Sequence, residues 1–145
     1  MRNVMLAIAV CLVGQGALAW EEPARGTATR AALMDAIRPH LEWTLGAPIE
    51  FVVHDLRVQG PVAFAAVTPQ RPGGGQIDLR QTPSVRRGDV DLEYIDNLGV
   101  QALYRKSGNT WVAVHWGIGA TDVWYSDPNL CASWRSVIPD VCQGL

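Results

Sequence analysis

The spacing of apolar residues changes at Gly46, and this change limits the folds that the chain can adopt. Before Gly46, apolar residues recur at every fourth position and share one face of a helix: Leu33, Ile37, Leu41 and Leu45. From Ile49 onward they recur at every second position, which is the period of a β-strand. Gly46 is expected to end the helix in a left-handed conformation, and Pro48 prevents its continuation. The pattern predicts one N-terminal helix followed by strands.

The predicted helix has a good start and an internal defect. Thr27 or Thr29 can cap its first turn, since a threonine hydroxyl accepts a hydrogen bond from a free N–H group there. Pro39 lies in the middle, where a proline costs about 3 kcal/mol and usually kinks the axis. We expect either one bent helix or two short helices joined at Arg38-Pro39.

Two β-hairpins are predicted after the helix. In the first, the apolar parity shifts near His54-Asp55, which indicates a β-bulge or a strand buried on both faces. Residues 59–61 form its turn, and residues 62–68 form its second strand. The second hairpin joins residues 98–105 to residues 110–118 through a turn that contains Gly108 and Asn109.

The last predicted strand has two distinct faces. Alternation is expected to direct one set toward the core: Val112, Val114, Trp116 and Ile118. The other face then carries Trp111, Ala113 and His115.

Residues 69–91 interrupt the strand pattern. They contain three prolines, the run Gly73-Gly74-Gly75 and several arginines, including Arg71. A connection of this length is uncommon inside a domain unless it is functional or disordered. The glycine run predicts a flexible tip, and Ile77-Asp78-Leu79 is expected to form a brief strand or to dock on the surface.

The predicted fold class is α+β. A proline-kinked N-terminal helix packs on a curved antiparallel sheet of four to five strands, and a disulfide holds the C-terminal tail. The order of one helix and then a meander is similar to the cystatin-like and NTF2-like arrangements. The expected organisation is a signal peptide over 1–19, a flexible arm over 20–26 and a single domain over 27–145.

The N-terminal segment is typical of a secretory signal peptide. Arg2 is followed by an apolar run over 4–13 and by Ala17-Leu18-Ala19, a small-x-small cleavage site. The apolar run is much shorter than the about 20 residues that a transmembrane helix needs. We therefore expect cleavage near Ala19 and a periplasmic or secreted protein with no stable membrane anchor afterwards.

Cysteine and charge content agree with this expectation. Removal of residues 1–19 leaves Cys131 and Cys142, an even pair that predicts a disulfide in an oxidising compartment. The remaining 11 basic and 14 acidic residues give a charge of about −3, without the basic cluster that nucleic acid or anionic lipid requires. Only Lys106 accompanies eleven arginines, which is typical of a GC-rich bacterial genome.

Three segments carry a resemblance to known proteins. These are residues 41–53 (LEWTLGAPIEFVV), 68–72 (TPQRP) and 118–124 (IGATDVW). They resemble segments of small exported proteins of Gram-negative bacteria whose function is unknown. The resemblance implies a bacterial exported protein and implies no activity or site residues.

Candidate site residues concentrate in the C-terminal third. Trp111, Trp124 and Tyr125 are large aromatic residues that packing explains less well than Trp116, and tryptophan is enriched in binding hot spots. The alternative is that they cover the end of the sheet and pack on the disulfide loop. His115 with Asp122 could form a general acid–base pair, or His115 could be a half-buried surface histidine. The three histidines lack metal-ligand spacing, so we expect neither a metal nor another cofactor.

Two functions are compatible with these features, besides a purely structural role in the cell envelope. The first is a non-catalytic exported domain that binds a protein, peptide or small ligand of the cell envelope. Its surface would combine the loop at Asp122, Trp124 and Tyr125 with the loop over 70–87, where Arg71 lies. The second is a small enzyme with a sheet-lined pocket in which His115 and Asp122 act as acid and base.

Overall fold

Helix α1 spans Ala28–Leu45 in a computed structural model that describes residues 20–95 and 97–145. The Thr27 side chain accepts a hydrogen bond from the Arg30 N–H at 3.3 Å, which confirms the predicted cap. The helix runs through Pro39 without interruption, so the single-helix alternative is correct. Gly46 ends it with the expected positive φ, 84°, but its ψ of 143° lies outside the left-handed helical region.

Four antiparallel strands form one sheet in the order of the sequence. They are β1 (Glu50–Gln59), β2 (Val62–Gln70), β3 (Val100–Ser107) and β4 (Thr110–Ile118). The pairs Glu50–Gln70 and Val100–Ile118 place the longer connections at one end of the sheet, called the loop end below. The two tight turns lie at the opposite end. Both predicted hairpins are confirmed.

A β-bulge interrupts β1, as the shift in the spacing of its apolar residues predicted. The pairing register with β2 shifts between Val53 and Asp55. Phe51 and Val53 before the shift, and Leu56 after it, all contact the core under α1. The extra residue keeps apolar side chains on one face and leaves Asp55 on the other.

A second bulge overturns the predicted orientation of β4. The register with β3 shifts so that His115 pairs with Leu103 and Ala113 pairs with Tyr104, which leaves Val114 without a partner. Trp111 and Ala113 are buried under α1, whereas Val112 and Val114 are 44% and 42% exposed. The prediction that these valines face the core with Trp116 is wrong, since the extra residue reverses the parity between Ala113 and Trp116.

Each face of the sheet has its own core. The apolar stripe of α1 packs on the first face, against small residues of the central strands such as Ala63, Ala65 and Ala102. Helix α3 (Pro128–Trp134) and the residues after it cover part of the second face. There Trp134, Val137 and Ile138 pack on Phe64 and Leu103.

The segment between β2 and β3 is folded onto the domain. It contains 3₁₀ turns at Leu79–Gln81 and Leu92–Tyr94 and a short helix, α2, over Pro83–Arg87. Ile77 is 7% exposed, so the docking alternative for this region is correct. Helix α2 packs on the end of α1, and a Cβ atom at Gly46 would lie 3.3 Å from the Pro83 ring.

The tail is closed by the predicted disulfide between Cys131 and Cys142. Both cysteines are buried within the core of the second face. Among residues 20–95 and 97–145, no helix has the length and apolar character needed to cross a bilayer. The predicted signal peptide and its cleavage site lie outside these residues.

Candidate functional site

His115 and Asp122 are both exposed near the loop end of β4. The His115 ring lies edge-on to Trp134, with 5.4 Å between the ring centroids. No hydrogen bond of the described residues joins His115 to Asp122, and these residues contain no cluster of three or more potential metal ligands. The structure thus leaves His115 accessible without showing the orienting contact that acid–base catalysis uses.

Two other candidate residues stabilise the fold instead of forming an exposed site. Trp111 is 7% exposed and lies in the core under α1, because the β4 bulge reverses the expected face. Arg71 donates hydrogen bonds to the carbonyl oxygens of Leu45 (2.8 Å), Pro48 (3.1 Å) and Gly46. A guanidinium at these free carbonyls compensates the negative end of the α1 dipole. Arg71 therefore holds the α1 terminus against β2.

The aromatic pair Trp124 and Tyr125 is half-buried against the second face. The Tyr125 ring lies 5.1 Å from Phe64 and 5.5 Å from Trp124, between centroids. A Cβ atom on Gly117 would lie 3.1 Å from the Trp124 indole nitrogen, so the indole covers this glycine. Burial, followed by the charge of Asp140, raises the pKa of Tyr125. Of the adjacent positions, Val123 is 47% exposed.

A dense group of charges surrounds Arg57, which sequence analysis missed. Its guanidinium forms a two-point ion pair with Asp55 (3.0 and 2.7 Å) and bonds Asp140 at 2.7 Å. The Trp20 ring lies 4.6 Å from the guanidinium carbon. Burial opposes the charge, but the bonds to Asp55 and Asp140 outweigh it and raise the pKa of Arg57. The cluster joins residue 20, β1 and the tail.

A polar cleft lies beside this cluster, between residues 22–24 and β1. It encloses about 250 Å³ and is lined by Arg30, His54 and Asp55, among others. The His54 Nε2 atom is 2.8 Å from the Thr68 hydroxyl oxygen across the sheet. These contacts account for His54 without a ligand.

Among the residues that the structure describes, Trp43 is the most exposed large apolar side chain, at 69%. It lies on the last turns of α1, away from the stripe that packs on the sheet. The Arg87 guanidinium carbon lies 4.4 Å from the centre of the Trp43 ring system. Arg86, also exposed, is its neighbour on α2. We call the group of Trp43, Arg86 and Arg87 the Trp43–Arg87 surface.

The Trp43–Arg87 surface is held from several sides. Arg87 donates to the Trp43 carbonyl oxygen at 3.2 Å and to the Asp89 carboxylate at 2.7 Å. Pro83, at the start of α2, packs beside Gly46 at the end of α1. The arginine thus stacks on the indole from a second anchored element, which reduces the side-chain freedom that a partner would have to restrict.

No family model, curated protein or solved structure matches this chain.

The helical spacing around Trp43 already indicates that this residue is exposed. The aromatic candidates, however, were chosen from the strands and loops of the C-terminal third. A residue two positions after Leu41 and two before Leu45 lies away from a stripe with four-residue spacing. A tryptophan there is exposed unless another element covers it. Whether α2 would cover or stack beside it depended on the folding of residues 70–99, which local patterns did not predict.

Proposed function

We propose that the chain is a non-catalytic domain, exported to the periplasm or secreted, that binds a protein or peptide of the cell envelope. The binding residues are those of the Trp43–Arg87 surface. The exposure of Trp43 is the observation that supports this proposal, because an exposed tryptophan can bury a large apolar area when a partner covers it.

The chemistry of the surface supports a macromolecular partner. Tryptophan and arginine are the residue types most enriched at energetic centres of protein interfaces. Small-molecule sites are concave and bury most of their ligand, whereas Trp43 projects with 69% of its area exposed. Arg86 adds positive charge at its edge, whereas the charge of Arg87 is paired with Asp89, and the net positive charge favours a partner segment that carries a carboxylate.

Two features that agree with each other support the proposed location. The buried disulfide is typical of an oxidising compartment, and the N-terminal segment has the pattern of a cleavable export signal. The surface proposed here partly coincides with the loop over 70–87 that the sequence favoured, since α2 lies at the end of that loop.

Crosslinking in the producing organism, followed by affinity recovery and quantitative mass spectrometry, tests the proposal. Trp43→Ala should reduce recovery of the specific partner at least about tenfold, the loss expected for an interface hot spot. Val123→Ala is the matched control, because Val123 is 47% exposed and lies on the other predicted surface. Unchanged recovery with Trp43→Ala would reject this surface. A loss confined to Val123→Ala would place recognition on the loop at Asp122.

A further inference from the structure

The two edges of the sheet are protected to different degrees. An edge strand presents unpaired N–H and C=O groups, and proteins usually guard such edges with charges or by covering them. On β1, Glu50, Asp55 and Arg57 place charges along the strand. In addition, Glu21 and Val58 exchange two backbone hydrogen bonds, of 2.7 and 2.8 Å. The β1 edge is both charged and partly paired.

The β4 edge lacks these protections. Residues 110–118 include no aspartate, glutamate, lysine or arginine. Within the part of the chain that the structure describes, no strand or isolated bridge pairs with the outer side of β4. Val112 and Val114 are 44% and 42% exposed, and β-branched residues are well suited to strand pairing. A bulge can also turn an edge away from pairing, but β1 and β4 each contain one, so the bulge at Val114 does not distinguish the two edges.

The uncharged area continues onto the neighbouring flank of α1. Ala32, Ala36 and His40 follow one another at four-residue spacing and therefore form a line along the helix. The His40 ring lies 5.4 Å from that of Trp116, which places this line on the β4 side.

The charges of α1 lie on its other flank. Arg38 donates to the carbonyl oxygen of Ile49, and Glu42 accepts from the Ile49 N–H, so both face the start of β1. The edge of β4 and the adjacent line of α1 thus form one surface without aspartate, glutamate, lysine or arginine, with His40 and His115 as its titratable residues.

We propose that β4 pairs antiparallel with β4 of a second copy of the chain, producing a continuous eight-stranded sheet. A two-fold axis apposes the same strand in both copies, and a strand without aspartate, glutamate, lysine or arginine then brings no pair of like charges from these residues together. A charged foreign strand would find no complementary charge on β4. The small side chains of Ala32 and Ala36 let the two α1 flanks approach closely beside the joined strands.

Sedimentation velocity on the product purified after expression of the full chain, from low to high micromolar concentration, measures this association. The wild type should form a dimer, and Val114→Lys should be monomeric because its charges would face each other across the axis. Val52→Lys is the matched control on the guarded edge, since Val52 is 40% exposed and Val114 42%. It should remain dimeric. A monomeric wild type, or dissociation by Val52→Lys alone, would overturn the proposal.

Hydrogen exchange of the β4 amides provides a measurement that needs no variant. The outward-pointing amides of residues 110–118 should become protected as the protein concentration rises. Protection that does not depend on concentration, in a protein that sediments as a monomer, would mean that a segment of the same chain covers the edge and would overturn the proposal. Intact mass, measured on the same sample, identifies whether residues 1–19 are present to do so.

Discussion

Tyr104 is buried completely in the core under α1, and its hydroxyl has no hydrogen-bond partner among the described residues. A buried polar group without a partner costs about 1–3 kcal/mol. Burial also raises the pKa of Tyr104 above its ordinary value, because the phenolate would be desolvated. The ring contributes apolar area to the core, while the hydroxyl opposes folding.

Tyr104→Phe should therefore stabilise the protein, by about 1 kcal/mol at neutral pH. The gain should grow at alkaline pH. The tyrosine ionises near pH 10 in the unfolded chain but keeps its proton in the folded one, so wild-type stability falls above that pH by up to about 1.4 kcal/mol per unit. Phenylalanine has no proton to lose and escapes this decline.

Urea unfolding at neutral pH and above pH 10 measures both effects. Tyr125→Phe is the comparison variant. Burial also raises the pKa of Tyr125, but this side chain is only half-buried, so its phenolate is less desolvated than that of Tyr104. An alkaline decline in Tyr104→Phe as steep as that of the wild type would contradict the assignment of this effect to Tyr104.

Individual orientations were predictable where the strand period was regular. Leu98, Val100, Ala102 and Tyr104 share one parity in the sequence, and all four contact the core under α1. The assignment failed at Trp111 because a single extra residue, Val114, reverses the parity within β4. Both valines and the tryptophan are favourable in strands, so local preference gave no sign of the extra residue.

At the level of elements, Arg57 connects parts of the chain that are distant in sequence. Its guanidinium bonds Asp55 on its own strand, and Asp140 and the Val137 carbonyl in the tail. It also lies over the Trp20 ring. The planar fork of an arginine can serve these partners together, which the point charge of a lysine cannot.

Arg57→Met should destabilise the protein by about 2 kcal/mol, less than the 3–5 expected for a fully buried pair because Asp140 is half exposed to water. Arg57→Lys keeps the charge but loses the fork and should recover only part of this loss. Urea unfolding of both variants, and of Asp55→Asn alone and combined with Arg57→Met, gives the coupling energy. Equal stability of the lysine variant and the wild type would show that charge alone is sufficient.

Elements with strong periodicity were predictable, and those fixed by distant contacts were not. The α1 stripe, its Thr27 cap and the two hairpins follow from local spacing and turn residues. Helix α2 has five residues, too few to be stable alone, and it depends on packing against the end of α1. The position of Trp43 beside Arg87 depends on that packing, so the site could not be located before the fold was known.

At the scale of the whole molecule, residue 20 is already bound to the domain. Trp20 packs against the core of the second face, and Glu21 pairs with Val58. Cleavage after Ala19 would preserve both contacts and place the new amino terminus directly before them. The predicted cleavage site is thus adjacent to a residue that packs on the domain.

The protein isolated from the producing organism should therefore begin at Trp20, and intact mass after reduction measures this directly. Ala19→Arg should block cleavage and cause the longer form to accumulate, because signal peptidase sites require a small residue at this position. Leu18→Gln is the matched control: it changes the middle residue of the Ala17-Leu18-Ala19 site, which the small-x-small pattern leaves free, and should be processed normally. A mature protein that retains residues 1–19 would contradict the export signal. It would also make those residues available to cover β4, which links this measurement to the proposed dimer.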